Sequence, residues 1–203
     1  MEDPHFGIAN SAIDSVVDNV LQFMASNDGW EEMGTKEGVT GHKHPHESGF
    51  QIVKITVQIP RSASDVLAYI WDFNNKRIYD ETLKEIREIK SFSPQLRIMY
   101  EQGNAPWPVS NRDFVYAQRM HERDDGFLLC SKSIDAGVPP NKGVERGEIL
   151  YSGMYLRRAG DAATNLTFAA CVDPKGSIPK AVVNKMGKKQ IDKFLAIKKA
   201  LVR

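Results

Sequence analysis

His42, His44 and His46, followed by Glu47, form the most conspicuous cluster of chemically able side chains in this chain. On a strand, alternate residues share a face, so the run has the donor types and spacing of a metal site. Pro45 and the flanking glycines point to a loop instead, and no second ligand cluster completes a coordination sphere, so no metal is expected. There is no nucleophile–base motif and no glycine-rich phosphate loop. His121, at the end of a strand-like run, is the only histidine near segments that would line an interior. Catalysis is therefore not expected, and no cofactor is implied. Cys130 and Cys171 lie inside apolar runs and read as buried thiols in a reducing compartment.

The segment 113–122 offers binding chemistry. Alternation puts Phe114, Tyr116, Gln118 and Met120 on one face and Asp113, Val115, Ala117 and Arg119 on the other. Aromatic faces pack acyl chains or cage a quaternary ammonium; equally, they fill a core. A second feature is charge. From Ile178 to Arg203, eight basic residues stand against Asp192 alone, giving +7. The whole chain carries +1, so the rest carries −6. Whole-molecule charge gives no case for nucleic acid, but this one element is strongly basic.

The elements that position these residues follow from periodicity. Ile13, Val16, Val17, Val20, Leu21 and Met24 recur at helical spacing until Asn27-Asp28-Gly29 stops them. Residues 30–44 read as two short strands, and 51–59 alternates as a half-buried one. Ser62 with Asp65 starts a capped helix whose stripe is Val66, Leu67, Ile70 and Trp71. Strand-like runs follow at 83–91, 95–102, 113–122, 126–134, 146–157 and 163–173. The last helix, about 178–202, spans ~37 Å at 1.5 Å per residue. Val183, Met186, Gln190, Phe194, Ile197 and Leu201 fall near one stripe of it, with the lysines expected to face out. Gly187 lowers its local helix propensity by ~1 kcal/mol relative to alanine.

Composition is ordinary for a globular domain, with 41% hydrophobic and 26% charged residues, so neither disorder nor a membrane class fits. No run approaches the ~20 apolar residues of a membrane span. Glu2, Asp3 and Pro4 do not suit a signal peptide. A single domain over 1–203, monomeric and cytoplasmic, is expected. Consecutive strands with short turns imply an α+β fold, an antiparallel sheet of about nine strands covered by the long terminal helix.

Two stretches carry a resemblance. Pro106-Trp107-Pro108-Val109-Ser110-Asn111-Arg112-Asp113-Phe114-Val115-Tyr116 is one, and Val172-Asp173-Pro174-Lys175-Gly176-Ser177-Ile178-Pro179-Lys180 is the other. In this element order they resemble the steroidogenic-acute-regulatory-protein-related lipid transfer (START) domains, and among them most the phosphatidylcholine carriers. The resemblance implies a helix-grip fold, an internal tunnel for one lipid, and exchange through movement of the last helix with the loop Asp135 to Gly143. A carrier is needed because each methylene exposed to water costs ~0.8 kcal/mol.

The resemblance also implies site residues. Tunnel lining is expected from Trp71, Tyr100, Phe114, Tyr116, Gln118, Tyr155, Val183, Met186 and Phe194. Headgroup candidates are Lys76, Asp80 and Glu101. Where the family often places a cavity arginine this chain has Gln118, so Glu101 must be protonated, face solvent, or meet Arg119 or another base. Lys76 replaces an arginine used for phosphate and lacks its bidentate fork. Arg112 and Asp113 are expected to pin the turn. The lipid is expected to be a glycerophospholipid, with a sterol as runner-up. Trp107, Lys185, Lys188 and Lys189 are candidates for transient membrane contact, at ~1 kcal/mol per well-placed lysine on an anionic leaflet, so the protein would work at membrane peripheries.

Overall fold

A computed structural model describes residues 3–107, 109–176, 178 and 180–202; the side chains of 180, 181 and 183–186 are outside that description. Expectations for Val183, Lys185 and Met186 therefore lie outside the described residues, as do Pro108, Ser177 and Pro179 of the two motifs. The elements in order are α1 (Pro4–Ala25), β1 (Glu31–Lys36), β2 (Val39–Pro45), β3 (Gln51–Ile59) and α2 (Ala63–Trp71). A 3-10 turn (Phe73–Asn75), α3 (Lys76–Tyr79), β4 (Leu83–Ser93), β5 (Leu96–Gly103), β6 (Asn111–Arg123) and β7 (Gly126–Ser133) follow. Then come β8 (Val144–Arg146), β9 (Glu148–Arg158), β10 (Thr164–Asp173) and α4 (Lys180–Val202).

Asp3 caps α1 by accepting the His5 amide proton at 3.0 Å, and Pro4 occupies the first turn, where no amide proton is required. The helix buries Ala9, Ile13, Val16, Val20 and Met24, one stripe at spacings of three and four. That stripe covers the outer face of the sheet, against Ile98, Val115, Ala117, Leu128, Cys130 and Cys171. Both thiols are free and buried. Close approach is possible because β9 has no side chain at Gly153: a Cβ there would lie 2.1 Å from Val20 Cγ1.

The strands form one sheet in the order β1-β2-β3-β10-β9-β7-β6-β5-β4, all antiparallel neighbours. The expected nine strands are present, and a tenth, β8, pairs with β6 in parallel. Three residues after a proline-rich loop carry no period-two signal, so β8 was invisible to alternation. The inner face carries Ile55, Val57, Leu129, Leu156 and Leu166, packed on Val66 and Ile70 of α2 and Ile191, Phe194, Leu195 and Ile197 of α4. A Cβ at Gly41 would lie 2.8 Å from Ile191, so α4 sits directly on the β2 backbone.

Substituting Gly153 by alanine forces the α1–sheet contact apart and should cost about 1–3 kcal/mol in chemical denaturation. Adding Val20→Ala should recover part of that loss. Additive losses in the double mutant would show that α1 does not pack there.

Candidate functional site

Period-two alternation on β5 sends Arg97, Met99 and Glu101 to the inner face and Leu96, Ile98 and Tyr100 to the outer one. On β6 it sends Phe114, Tyr116 and Gln118 inward, with Val115 and Ala117 outward. Register then sets the neighbours: Arg97 lies opposite Gln118, and Glu101 opposite Phe114. Across this patch runs the segment from Trp71 to Asp80. Ser62 caps α2 through the Asp65 amide at 3.1 Å, and Asp72 caps the 3-10 turn through the Asn74 amide at 3.0 Å. Two successive caps turn the chain so that Lys76 and Tyr79 drop onto the sheet.

Polar groups meet there within an apolar surround. Glu101 receives the ammonium of Lys76 and, at 3.1 Å, the Tyr116 hydroxyl proton. Arg97 donates Nε and Nη2 to the Gln118 side-chain oxygen at 3.0 and 2.8 Å, and Nη2 to the Trp71 carbonyl at 2.8 Å. Its guanidinium lies 3.9 Å from the centre of the Trp71 ring and 5.4 Å from that of Phe73. Asp80 accepts Lys193 Nζ of α4 at 2.6 Å and the Thr82 hydroxyl at 2.7 Å.

Burial and partners shift these groups in opposite senses. Burial alone would raise the Asp80 carboxyl, but Lys193, Lys76 and Thr82 hold it well below its ordinary 3.8. Burial alone would lower Lys76, but Glu101, Tyr79 and Asp80 leave it raised, as an ammonium. Burial and then Glu101 push Tyr116 far up, so it stays a hydroxyl donor. Burial draws Arg97 down from its usual value. Lys76 and Glu101 cancel, as do Lys193 and Asp80. Arg97 is only 6% exposed and has no carboxylate within ion-pair distance among the described residues. Its guanidinium therefore has no carboxylate in direct contact, and Glu88 and Asp72 oppose its charge from farther away.

Several expectations meet here. Trp71, Lys76, Asp80, Glu101, Phe114, Tyr116 and Gln118 are brought together, and Phe194 lies in the adjoining inner cluster against Phe168. Glu101 finds another base, Lys76, and not Arg119, which lies on the outer face and donates to Asn10 of α1 at 2.9 Å. Tyr100 and Tyr155 are corrected. Both belong to the outer cluster with α1, because each is one position out of phase with the inner face. Tyr100 donates to Asp113 at 3.1 Å, and Tyr155 to Asp125 at 2.5 Å.

Sequence reading missed Arg97 and Lys193. Arg97 supplies from β5 a guanidinium beside Gln118, and only the pairing across the 103–111 connection reveals it. Lys193 was expected to face out; it turns in to Asp80.

Arg112 and Asp113 pin more than a turn. Arg112 donates to the carbonyls of Pro174 and Lys175, both at 3.1 Å, just ahead of α4. Asp113, fully buried, accepts Arg146 at 2.7 and 3.2 Å, and Arg146 donates to Val138 in the 134–143 loop. Trp107 is 92% exposed. His42 and His44 lie on β2 and not in a loop, because Pro45 closes that strand and does not interrupt it. The His44 ring packs on Trp30 and the His46 ring on Phe23 and Tyr151; no three metal-ligand side chains converge among the described residues. No helix among the described residues is long and apolar enough to cross a membrane.

A two-faced antiparallel sheet holding a terminal helix over a buried polar patch defines a helix-grip fold. The model of the START domain matches residues 11–203, and the chain belongs to that family. Human StAR-related lipid transfer protein 5 superposes with a TM-score of 0.88 at 19% identity, covering 97% of each chain. Phosphatidylcholine transfer protein from Bos taurus is 25% identical over 173 residues, 82% of this chain and 80% of its own length. START domain-containing protein 10 from Mus musculus is 25% identical over 161 residues, 77% of this chain. This chain spans 55% of that relative and 40% of its Homo sapiens counterpart.

Asp80→Asn should lower stability by about 2–3 kcal/mol at neutral pH, since Lys193 loses a buried partner. The folded-state value is depressed, so the unfolded chain takes up the proton first. The contribution is therefore complete above the ordinary 3.8 and fades as pH falls below it. Denaturation of wild type and variant across pH should show the gap narrowing in acid; a constant gap would contradict the ion pair.

Proposed function

We propose that this chain binds one lipid in a tunnel on the inner face beneath α4 and carries it between membranes, and that the lipid is a glycerophospholipid such as phosphatidylcholine. The observation that carries this reading is Arg97. Its buried guanidinium has no carboxylate in direct contact, only Glu88 and Asp72 acting from farther away, and a phosphate offers it a contacting charge in bidentate geometry. Lys76 stands within the same patch as a second, compact cation, and the Trp71, Phe73 and Phe114 rings supply aromatic surface for methylenes or a quaternary ammonium. The buried Tyr69 hydroxyl has no hydrogen-bond partner among the described groups, and a headgroup oxygen would satisfy it. Similarity to phosphatidylcholine transfer proteins agrees with this choice.

A sterol fits less well, because a single neutral hydroxyl offers the Arg97 guanidinium no charge in contact. Exchange involves α4 and the loops at its entry, with Trp107, Lys188 and Lys189 meeting the membrane surface. The protein acts as a monomeric, non-enzymatic carrier, cytoplasmic and peripheral to membranes.

Native mass spectrometry of the purified protein should find a bound glycerophospholipid; a sterol as the only bound species would overturn the assignment. Arg97→Gln should slow vesicle-to-vesicle phosphatidylcholine transfer by about tenfold or more, with the fold intact by circular dichroism. Lipid binding without accelerated transfer would make the protein a sensor and not a shuttle.

A further inference from the structure

Arg119, His121 and Arg123 recur at every second residue near the end of β6, so all three stand on the outer face of the sheet. The imidazole lies between two guanidiniums. Arg119 donates to Asn10 of α1 at 2.9 Å and reaches the largely exposed Asp14 carboxylate only at 4.0 Å. Arg123 has no carboxylate within ion-pair distance among the described residues, and Asp3 at the start of α1 is taken up by Lys90. His121 Nε2 and Arg123 Nε are buried, and neither has a hydrogen-bond partner among the described groups. Burial, and then Arg119 and Arg123, hold the His121 ring below its usual value, with Asp14 opposing them.

Beside this cluster lies an open pocket of about 440 Å³ between α1 and the sheet, within the ~300–1,000 Å³ of small-molecule sites. Phe6 and Asn10 of α1, Ser93 and Gln95 of the β4–β5 turn, and Arg119 and His121 line it. Its polar lining consists mainly of donors. Asn10 gives Oδ1 to Arg119 and keeps its amide protons. Ser93 Oγ accepts the Gln95 and Leu96 amides, both at 3.1 Å, so its hydroxyl proton remains to be donated. Glu122 borders the pocket too, but it is exposed, and alternation turns it to the opposite face of β6. Phe6, edge-on to Phe92 with ring centres 5.6 Å apart, adds an apolar wall. The Leu96–Arg119 rung adjoins the Arg97–Gln118 rung, so the pocket backs onto the inner patch across one layer of strands.

We propose that this outer pocket binds a small organic anion, with a carboxylate or phosphate group against Arg119 and His121 and a short apolar part against Phe6. An anion answers both features of the cluster. It supplies the negative charge that two guanidiniums on one strand face lack at close range, and its oxygens accept from donors that the protein leaves unmatched. Water satisfies the nitrogens without offsetting the charge, and an uncharged apolar ligand does neither. The pocket is separate from the tunnel, because α1 and the outer face enclose it and no described residue of α4 borders it. The inference does not depend on the carrier reading above.

The His121 imidazole reports occupancy in nuclear magnetic resonance of the full chain, its Cε1 proton signal identified by its loss in His121→Gln. Phenyl phosphate at millimolar concentration should shift that signal saturably, and benzyl alcohol should not. Repeating the titration with benzoate separates the two anion chemistries, and saturation by either supports the site. Arg119→Gln should weaken binding by about tenfold, while the Trp71 indole signal on the inner face of the wild type stays in place. An equal shift with benzyl alcohol, no saturable shift with either anion, or undiminished binding in a folded Arg119→Gln would overturn the proposal. So would a response of Trp71 with none from His121, which would put the anion in the tunnel. The comparison of anions with alcohol needs only wild-type protein, so it decides the matter even where Arg119→Gln does not fold.

Discussion

A sheet with helices on both sides must bury both of its faces, and the pairing of β5 with β6 decides which side chains go where. Arg97 lies opposite Gln118, and every other pair in that ladder follows. A slip of one residue in β5 would send Arg97 and Glu101 under α1 and bring Leu96, Ile98 and Tyr100 to the inner face, away from Tyr116 and Gln118. That exchange would bury charges against an apolar helix stripe and leave the inner face without its polar patch. The hydrophobic face of α1, seated on Gly153, therefore defends the inner site from the opposite side of the sheet.

The polar patch is built as opposed pairs within apolar surroundings. Lys76 answers Glu101, and Lys193 answers Asp80, so the two half-buried lysines of the patch are paired by the protein. The third cation, Arg97, is held by an amide oxygen, a backbone carbonyl and two rings, none of which carries a full negative charge. Glu88 and Asp72 act on it only from beyond contact distance, so its charge is opposed but not paired.

One dipeptide links the two segments at the end of the sheet where α4 begins. Arg112 and Asp113 point to opposite faces, as neighbours on a strand must. Arg112 holds the carbonyls that lead into α4, and Asp113 holds the 134–143 loop through Arg146. Movement of either segment strains the same two residues of β6. The C-terminal half of α4, by contrast, is buried among Phe168, Ile55 and Leu166 and closed by Arg61 on the Leu201 carbonyl at 2.5 Å.

Local pattern was enough to read most of the elements in the sequence: the α1 stripe from Ile13 to Met24, the alternating strands, the capped start at Ser62 and the basic terminal helix. Phe114, Tyr116 and Gln118 could be assigned to one face for the same reason, since period two is a property of a single strand. Which face that is, and what stands across from it, is a property of two strands and a connection of unspecified geometry. Tyr100 and Tyr155 therefore went to the wrong side, and Arg97 went unnoticed beside Gln118. The lysines of α4 show the same division. Their number and sign follow from the sequence alone, but only the tertiary structure brings Asp80, Glu81 and Glu37 within reach, because Coulomb attraction between exposed groups acts over a few ångströms while these residues lie more than a hundred positions apart.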